Sequence, residues 1–453
     1  MSQKHREEAP VKVLFGKNVV GGNCVAIYPE RDTNRYVLLD HGINFSRFRK
    51  YYGRFLEPLH ADEMRKLETL PRLDCVLGAS EIYLSHLHLD HIGSLDYLDR
   101  DGARDKMVFM PMRDYYTDKL MESWRRSWKR VLVPENPSVK GNIRDVQELN
   151  TELVKAVKVP HSAYPSYSYA VFTEVGNILY TGDFRLHSLL EPFLEDPHAE
   201  ELFKRMYGEE YDVLRELSET VEGYLDYLVI EGTNLGRPVT PLGPEDAARI
   251  IGRILPRKAL TFVVHPLDVE SVLLVSLVVR RVTDKREIFV CGKAISLYFS
   301  YVAHRLRIGE AFLEELGVTF APKRALVPYY GSLMCSFREA MKRLAEGSGV
   351  VITDYETISI AREFVNRKPD KPICVVMLMS EPQVEELSIE FRRQLEWLKL
   401  ARLQPIPLRV SGHYYPHELH DIYDALKPKT LIPIHTQAPK FFRAIFRDVE
   451  ILS

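Results

Sequence analysis

The chain has 453 residues, more than one ordinary compact core needs, so two domains or one domain with a large insertion are expected. Its 45% hydrophobic and 27% charged residues are typical of a folded globular protein, and a formal net charge of −2 gives no overall attraction for nucleic acid. The five cysteines include no CxxC pair, which argues against a disulfide framework or a thiolate zinc site. The charged N-terminus and the lack of long apolar runs predict a cytoplasmic protein with no membrane partner.

Short apolar strands dominate the first half of the chain, and most end beside a histidine or an acid. They are predicted at residues 22–28, 36–39, 81–84, 156–160, 169–173, 177–181 and 227–230. Polar or glycine-containing turns separate several of them, as expected for neighbouring strands of one sheet.

From about residue 236 the pattern changes to alternating strands and helices. Strands are predicted at residues 260–265, 287–291, 350–353 and 373–378, and helices at 269–282, 294–306 and 383–400. This alternation predicts a parallel α/β sheet, and the absence of a glycine-rich phosphate-loop signature argues against nucleotide binding there. Short strands around histidines return at 408–413 and 431–435. We therefore expect an outer domain formed by residues 1–236 and 406–453, interrupted by an inserted domain at 237–405.

The run His86-Leu87-His88-Leu89-Asp90-His91 is the strongest chemical signal in the chain. Imidazoles and a carboxylate at this density suit zinc and neighbouring metals and exceed what stability requires. His86 and His88 can face one ion, while Asp90 and His91 can reach a second. A histidine-rich surface loop is the alternative explanation.

Three later residues can complete such a site: His161 after a strand, Asp183 beside Gly182, and His435 after an apolar run. Each alone also fits an ordinary loop or turn residue. Two ions about 3.5 to 4 Å apart can activate water and neutralise charge on a phosphoryl oxygen, so phosphodiester hydrolysis suits this ligand set. Asp40, at the end of a predicted strand, is expected to orient the histidine loop, although a turn or capping aspartate is the competing explanation.

With these residues identified, the sequence resembles the β-CASP branch of the metallo-β-lactamase superfamily, especially ribonuclease J and the cleavage-and-polyadenylation endonucleases. The resemblance is carried by motifs at Asp40, His86 to His91, His161, Asp183, Glu231, His413 and His435. It implies an α/β fold, a metallo-β-lactamase αββα sandwich with an inserted α/β β-CASP domain, and two Zn²⁺ ions. The implied metal ligands are His86, His88, Asp90, His91, His161, Asp183 and His435.

The same resemblance implies catalytic roles for Asp90, Asp183, Glu231 and His413. His413 would protonate the leaving oxygen, oriented by Glu231, and a carboxylate-held imidazole can donate a proton near neutral pH. A boundary acid and a glycine-loop histidine are the ordinary explanations of these two residues. Arg409 and Thr436 depart from the His and Gly that ribonuclease J commonly has at these places.

Two segments are candidates for RNA contact. Residues 44–52 mix aromatics with cations, including Arg47 and Arg49, and could pair phosphates and stack bases or form a packed loop with a charged edge. Arg409 and Ser411 are expected to hold the substrate phosphate. Trp124 and Trp128, at helical spacing, instead indicate a buried helix face.

The sequence therefore predicts a zinc-dependent ribonuclease acting on single-stranded RNA in RNA processing or decay. It would be a 5′-to-3′ exonuclease, an endonuclease or both, and a homodimer is one expected assembly. The alternatives are a DNA nuclease or small-molecule hydrolase on the same di-zinc core, and a non-catalytic RNA-binding subunit of a processing complex. The intact ligand set argues against the last alternative.

Overall fold

The computed structural model describes the chain except residues 1–8, 32–33, 53–55, 57, 98–105, 118–141, 284–286, 324–326, 355–356, 382–387 and 453. Trp124 and Trp128, for which a buried helix face is predicted, lie outside the described residues. No described helix is long and apolar enough to span a membrane.

Within the described residues, the strands form three six-stranded sheets. The first has the order β1 Val11–Phe15, β2 Cys24–Ile27, β3 Tyr36–Leu39, β4 Ala79–Tyr83, β5 Met107–Met110 and β6 Ile143–Asp145. The second has the order β18 Glu450–Ile451, β17 Thr430–Ile434, β10 Tyr227–Glu231, β9 Gly176–Tyr180, β8 Ser166–Thr173 and β7 Val154–Val159. The third has the order β13 Val318–Phe320, β12 Glu287–Val290, β14 Gly349–Thr353, β11 Ala259–Val263, β15 Ile373–Met379 and β16 Gln404–Arg409.

Helices connect and cover these sheets. In chain order they are α1 Phe45–Tyr51, α2 Ala61–Lys66, α3 Asp74–Leu77, α4 Leu89–Ile92, α5 Arg113–Tyr115, α6 Pro197–Tyr207, α7 Val213–Thr220, α8 Pro244–Ile254, α9 Val269–Val282, α10 Lys293–Arg305, α11 Glu310–Glu315, α12 Phe337–Glu346, α13 Thr357–Phe364, α14 Ser388–Leu400, α15 Leu419–Leu426 and α16 Lys440–Ile445.

The first two sheets pack face to face around a shared apolar core. Val25 and Ile27 of β2 join a buried cluster with Tyr169 and Val171 of β8, whereas Ala26 belongs to a different cluster. This alternation is the period of two that a strand imposes on its side chains. On the far side of the second sheet, α7 and α15 bury a separate set of leucines, isoleucines and aromatics. The arrangement is consistent with the predicted metallo-β-lactamase sandwich.

The third sheet is wholly parallel and has helices on both faces. Side chains of α9 and α10 share a cluster with one face, and those of α12 and α13 with the other. Such double covering explains the continuous apolar runs of its strands.

The third sheet ends later than the predicted segment. The boundary at residue 405 falls inside β16, which continues to Arg409 and pairs there with Met379. The strand predicted at 408–413 instead spans Gln404–Arg409, so its predicted bounds were wrong, and it contains Pro405 and Pro407. β16 lies at the edge of its sheet, where proline is tolerated.

Buried polar contacts fix the third sheet against the sandwich. The Glu270 carboxylate on α9 accepts hydrogen bonds from Arg185, from Ser188 Oγ at 2.7 Å and from Tyr207 Oη at 2.6 Å. Arg305 on α10 makes two hydrogen bonds to Asp145, at 2.6 and 2.7 Å. These contacts bring the ends of β15 and β16 next to the histidine loop.

Candidate metal centre

The histidine run follows β4 and enters the short helix α4, with His88 at its N-cap position. His86, His88, Asp90 and His91 are all buried. The Asp90 carbonyl accepts hydrogen bonds from the amides of Gly22 and Asn23, both at 3.1 Å. A Cβ on Gly42 would lie 1.5 Å from the same carbonyl oxygen, so only glycine fits there. The backbone therefore holds the loop in one conformation before any ligand binds.

One group of possible ligands consists of His86, His88 and His161, whose ligand atoms lie within 4.8 Å of one another. Burial lowers the pKa of His86 and His88 well below the usual value, and that of His161 to about 3, so their imidazoles are neutral. Ser85 Oγ lies 2.9 Å from His86 Nδ1, and the Gly412 carbonyl lies 2.6 Å from His161 Nδ1. These contacts leave Nε2 of His86 and of His161 to face the group, and His161 Nε2 lies 3.3 Å from His88 Nδ1.

Several buried atoms in this centre have no hydrogen-bond partner among the described residues: His86 Nε2, His88 Nε2 and Asp183 Oδ1. Unpaired buried polar atoms are costly, and three of them in one place indicate a missing partner. Neutral imidazoles and a carboxylate can all donate a lone pair, so the residues present fit a bound cation.

A second group contains Asp90, His91 and His435, and Asp183 forms a further group with His86 and His91. His435 Nε2 lies 3.0 Å from Asp90 Oδ2, and His91 Nε2 lies 3.1 Å from Asp183 Oδ2. Burial lowers the pKa of His91, but Asp183, Asp40 and Asp90 raise it by more, so it lies well above the usual value. Asp183 is within reach of residues from both groups, as a bridging ligand would be.

Asp40 lies directly behind His91. Its Oδ2 is 2.7 Å from His91 Nδ1 and accepts from Tyr180 Oη at 2.5 Å, while its Oδ1 accepts from the Ser85 amide at 2.7 Å. The φ angle of Asp40 is +59°, in the left-handed region that non-glycine residues rarely occupy. Asp40 is thus placed to orient the His91 ring rather than to face the centre itself.

His413 lies between two carboxylates on the other side of Asp183. Its Nδ1 is 3.0 Å from Glu231 Oε1 and 3.9 Å from Asp183 Oδ2, and its Nε2 is 2.6 Å from Glu381 Oε2. Burial lowers the pKa of His413, but Glu231 and Glu381 together raise it well above the usual value. The imidazole is therefore held protonated. Glu231 is the last residue of β10, so it is not the acidic residue of a turn or a helix that the ordinary explanation assumed.

Two residues of this site were missed by the sequence reasoning, and both come from the third-sheet segment. Glu381 follows β15 and also accepts a hydrogen bond from Ser162. His265 follows β11, and its ring centroid lies 4.5 Å from that of His88. The only sequence signal was a polar residue just after a buried apolar strand, which is too common to identify a site.

The residues predicted to hold the substrate phosphate, Arg409 and Ser411, make hydrogen bonds within the protein. Ser411 is fully buried, and its Oγ accepts from the His413 amide at 3.0 Å and from Asn234 Nδ2 at 2.8 Å. Arg409 Nη2 donates to Asn234 Oδ1 at 2.6 Å. The Ser411 hydroxyl shapes the turn that carries His413, and a substrate-phosphate contact of Ser411 and Arg409 stays a prediction.

The segment at 44–52 forms α1 beside the histidine loop. Asn44 caps this helix, and a Cβ on Gly22, whose amide binds the Asp90 carbonyl, would lie 3.0 Å from Asn44 Cβ. Phe45 and Phe48 are buried in a local apolar cluster, so they cannot stack on bases as predicted. Arg47 pairs with Glu68 at 2.8 Å and Arg49 is half-buried, so both cations lie on the packed helix.

Comparison with known proteins identifies the first part of this architecture. Residues 18–218 match the family model of the Metallo-beta-lactamase superfamily. This part of the chain, somewhat less than half of its length, is similar to the domain of that superfamily. Members of this superfamily are metal-dependent hydrolases, which agrees with the histidine and aspartate groups found here. The match ends before Glu231, so it does not cover the last three predicted motif residues.

Solved structures extend the likeness to the whole fold. The crystal structure of a protein of unknown function from Enterococcus faecalis V583 has a TM-score of 0.62 and 16% identity, and the alignment covers 98% of this chain and 97% of that one. The short form of human tRNase Z (ELAC1) aligns with a TM-score of 0.27 and 15% identity, over 53% of this chain and 82% of that one, which is too low to support an argument. No curated protein matches the sequence.

Proposed function

We propose that this metallo-β-lactamase protein is a two-zinc ribonuclease that hydrolyses phosphodiester bonds of single-stranded RNA. The observation that carries the proposal is the position of His413. This buried, protonated imidazole is held by Glu231 and lies 3.9 Å from Asp183, a member of the metal-binding groups. A proton donor beside a metal centre is what cleavage of an ester with a poor leaving group requires.

The metal assignment follows the donor groups. One Zn²⁺ would be held by His86, His88 and His161, the other by Asp90, His91 and His435, with Asp183 shared between them. These nitrogen and oxygen ligands suit zinc, and also manganese or iron, better than calcium. When bound, the two ions would supply an activated water and neutralise charge on the phosphoryl oxygens.

The protein's own residues account for the proton on the leaving group. Glu231 holds His413 Nδ1, so the proton on Nε2 is the one available for transfer. In the structure this Nε2 faces Glu381 at 2.6 Å. We infer that the leaving oxygen displaces the Glu381 carboxylate, takes the proton from Nε2 and departs as an alcohol.

The preference for RNA rests on the resemblance to the β-CASP branch. Its RNA-processing members have histidine at the position of His435, whereas the DNA nucleases of the branch do not. In this proposal the segment 237–405, with the rest of β16, is the inserted β-CASP domain, and the cleft between it and the sandwich receives the strand. The enzyme would cleave RNA from the 5′ end, internally or in both ways. It would be a cytoplasmic protein that acts as a monomer or as a homodimer.

A small-molecule phosphodiesterase is the second candidate, and one observation favours it. His413 is fully buried and the Glu381 side chain is only 9% exposed, so the proton donor is enclosed in the free protein. A small diester reaches such a site more easily than a polymer does.

Side-by-side digestion tests the proposal. Metal content and cleavage of single-stranded RNA, single-stranded DNA and a chromogenic diester are measured for the wild type, His88→Ala and His413→Ala, with the exposed His187→Ala as matched control. RNA should be cleaved fastest; His88→Ala should lose metal and activity, and His413→Ala should keep metal and lose at least 100-fold in rate. A His88→Ala variant with full zinc and full activity contradicts the metal assignment, and fastest cleavage of the small diester favours the second candidate. RNA labelled at one end then separates terminal from internal cleavage.

A further inference from the structure

A cavity of about 190 Å³ lies between the sandwich and the end of α10. None of the residues that line it belongs to the candidate metal centre. Its polar lining comes mainly from Lys158, Tyr164, Tyr167, Arg205, Arg305 and Arg307. Three separate elements, β7, α6 and the C-terminal end of α10, therefore direct cations toward one space.

The cavity has an excess of positive charge. Its lining contains one lysine and three arginines but no carboxylate. Asp145, just outside, binds Arg305 at 2.6 Å, and Glu201 binds Arg205 at 2.6 Å. Neither Lys158 nor Arg307 has a carboxylate partner among the described residues, so two positive charges are left without a counter-ion.

Lys158 is the most constrained of these cations. Its Nζ donates to the Met206 carbonyl at 2.8 Å and lies 3.5 Å from Tyr164 Oη. Burial, together with the nearby positive charge of Arg305, lowers the pKa of Lys158 to about 8. A half-buried ammonium without an anion is unfavourable, and a negative ligand in the cavity would remove that penalty.

Arg205 and Arg305 are already oriented by protein groups. Arg205 Nη1 donates to the Arg307 carbonyl at 2.6 Å and to the Leu306 carbonyl at 3.2 Å, and Arg305 is held by both oxygens of Asp145. Guanidinium groups fixed in this way present further N–H donors at little entropic cost. Tyr164 and Tyr167 add phenol groups beside them.

We propose that this cavity is a phosphate-binding site, separate from the metal centre, for inorganic phosphate or the terminal phosphate of a small phosphomonoester. A dianion with several acceptor oxygens matches an excess of two positive charges with donors from three directions, better than a carboxylate with two oxygens does. The volume exceeds that of a phosphate group, and the tyrosine rings offer contact area for an attached organic group. The proposal does not depend on the ribonuclease function.

Chemical labelling locates the site. Lysine acylation by a limiting amine-reactive reagent at pH 7.5 is followed by peptide mass spectrometry, with Lys155 on the same strand as the exposed control. Saturating phosphate or AMP should slow labelling of Lys158 at least fivefold and leave Lys155 unchanged, while adenosine should have no effect. Equal labelling of Lys158 with and without phosphate would overturn the proposal.

Calorimetric titration of the metal-loaded protein measures the affinity and distinguishes the two sources of phosphate. Lys158→Met should weaken binding of phosphate or AMP at least tenfold, whereas Lys155→Met should not. Arg307→Gln, at an exposed position, should weaken binding of phosphate or AMP several-fold. This variant takes the place of Lys158→Met if Lys158→Met fails to fold. Tighter binding of AMP than of inorganic phosphate identifies a phosphomonoester, and equal binding identifies the free ion. The proposal would be overturned if both variants bound phosphate and AMP as tightly as the wild type. It would also be overturned if the variants weakened only the binding of an oligoribonucleotide with a 5′-hydroxyl, which has no terminal phosphate.

Discussion

Nε2 of His413 lies 2.6 Å from Oε2 of Glu381, at the atom from which the proposed proton transfer would start. Glu231, at 3.0 Å from Nδ1, belongs to the sandwich, whereas Glu381 belongs to the third-sheet segment. The proposed acid is therefore assembled from both parts of the chain. Glu231 can stay in place during the reaction, but Glu381 has to yield its position to the substrate.

Replacing Glu381 with glutamine should lower KM for an anionic diester by about fivefold, because about 1 kcal/mol of like-charge repulsion is removed. The turnover number should change less, since Glu231 still holds His413. Steady-state kinetics with the chromogenic diester measures both constants, and the exposed Glu396→Gln is the matched control. A fall in kcat above 100-fold with an unchanged KM would show that Glu381 takes part in the proton transfer itself.

The pH dependence of the reaction should report the pKa of His413. Burial lowers this pKa, but Glu231 and Glu381 raise it by more. A general acid must be protonated, so the rate should be present below this pKa and fall as the pH rises through it. Glu231→Gln removes one of the charges that raise the pKa of His413 and should therefore move the alkaline limb of the kcat profile to lower pH. An alkaline limb that does not move would assign the titration to another group.

The site was predictable from sequence where its residues adjoin recognisable strands. His86 to His91 follow β4, Asp183 follows β9, and Glu231 and His435 lie at the ends of the paired strands β10 and β17. Parallel strands with their ends at one edge bring such residues together, so separate positions in the chain become neighbours. The strand predictions at 36–39 and the helix at 269–282 coincide with β3 and α9.

The contributions of the third-sheet segment were not predictable. His265 and Glu381 reach the centre only because buried pairs such as Arg185 with Glu270 fix that segment against the sandwich. No local pattern encodes this docking. The hydrogen bond between Ser411 and Asn234 was likewise not predictable, because the two residues lie 177 positions apart in the sequence.

Removal of metal should destabilise the protein. His86 Nε2, His88 Nε2 and Asp183 Oδ1 have no hydrogen-bond partner among the described residues, so a chelator would leave them buried and unpaired. At a metal concentration 100-fold above Kd, binding contributes about 2.7 kcal/mol of stability per site. Calorimetric melting before and after EDTA treatment, and after zinc is added back, should show a reversible fall in Tm. An unchanged Tm in protein shown to have lost its metal would contradict a structural contribution from the ions.

Asp40→Asn should weaken metal binding by 10- to 100-fold, the range typical of residues that orient a metal ligand. Asp40 contacts His91, Ser85 and Tyr180, and an amide cannot accept all of these bonds. Competition with a chromophoric zinc chelator measures the affinity. Tyr180→Phe, which removes only one of the contacts, should have a smaller effect. Equal zinc affinity in Asp40→Asn and the wild type would show that the His91 ring is fixed by its other neighbours.

The buried ion pair of Arg185 and Glu270 should be the strongest single contact that holds the third sheet against the sandwich. Glu270 is fully buried and also accepts hydrogen bonds from Ser188 and Tyr207, so Glu270→Met removes the direct ion-pair partner of the buried Arg185. Breaking such a pair from one side costs about 3 to 5 kcal/mol in the free energy of unfolding. The exposed Asp246→Ala, which breaks the surface pair with Arg249, should cost less than about 1 kcal/mol.

The double variant Arg185→Met with Glu270→Met separates the cost of a stranded charge from the value of the pair. Because both members of the direct ion pair are removed together, it should be less destabilised than either single variant. Urea unfolding of the four proteins gives the coupling free energy directly. A double variant as unstable as the sum of the two singles would mean that the two residues act independently, and that packing alone holds the third sheet against the sandwich.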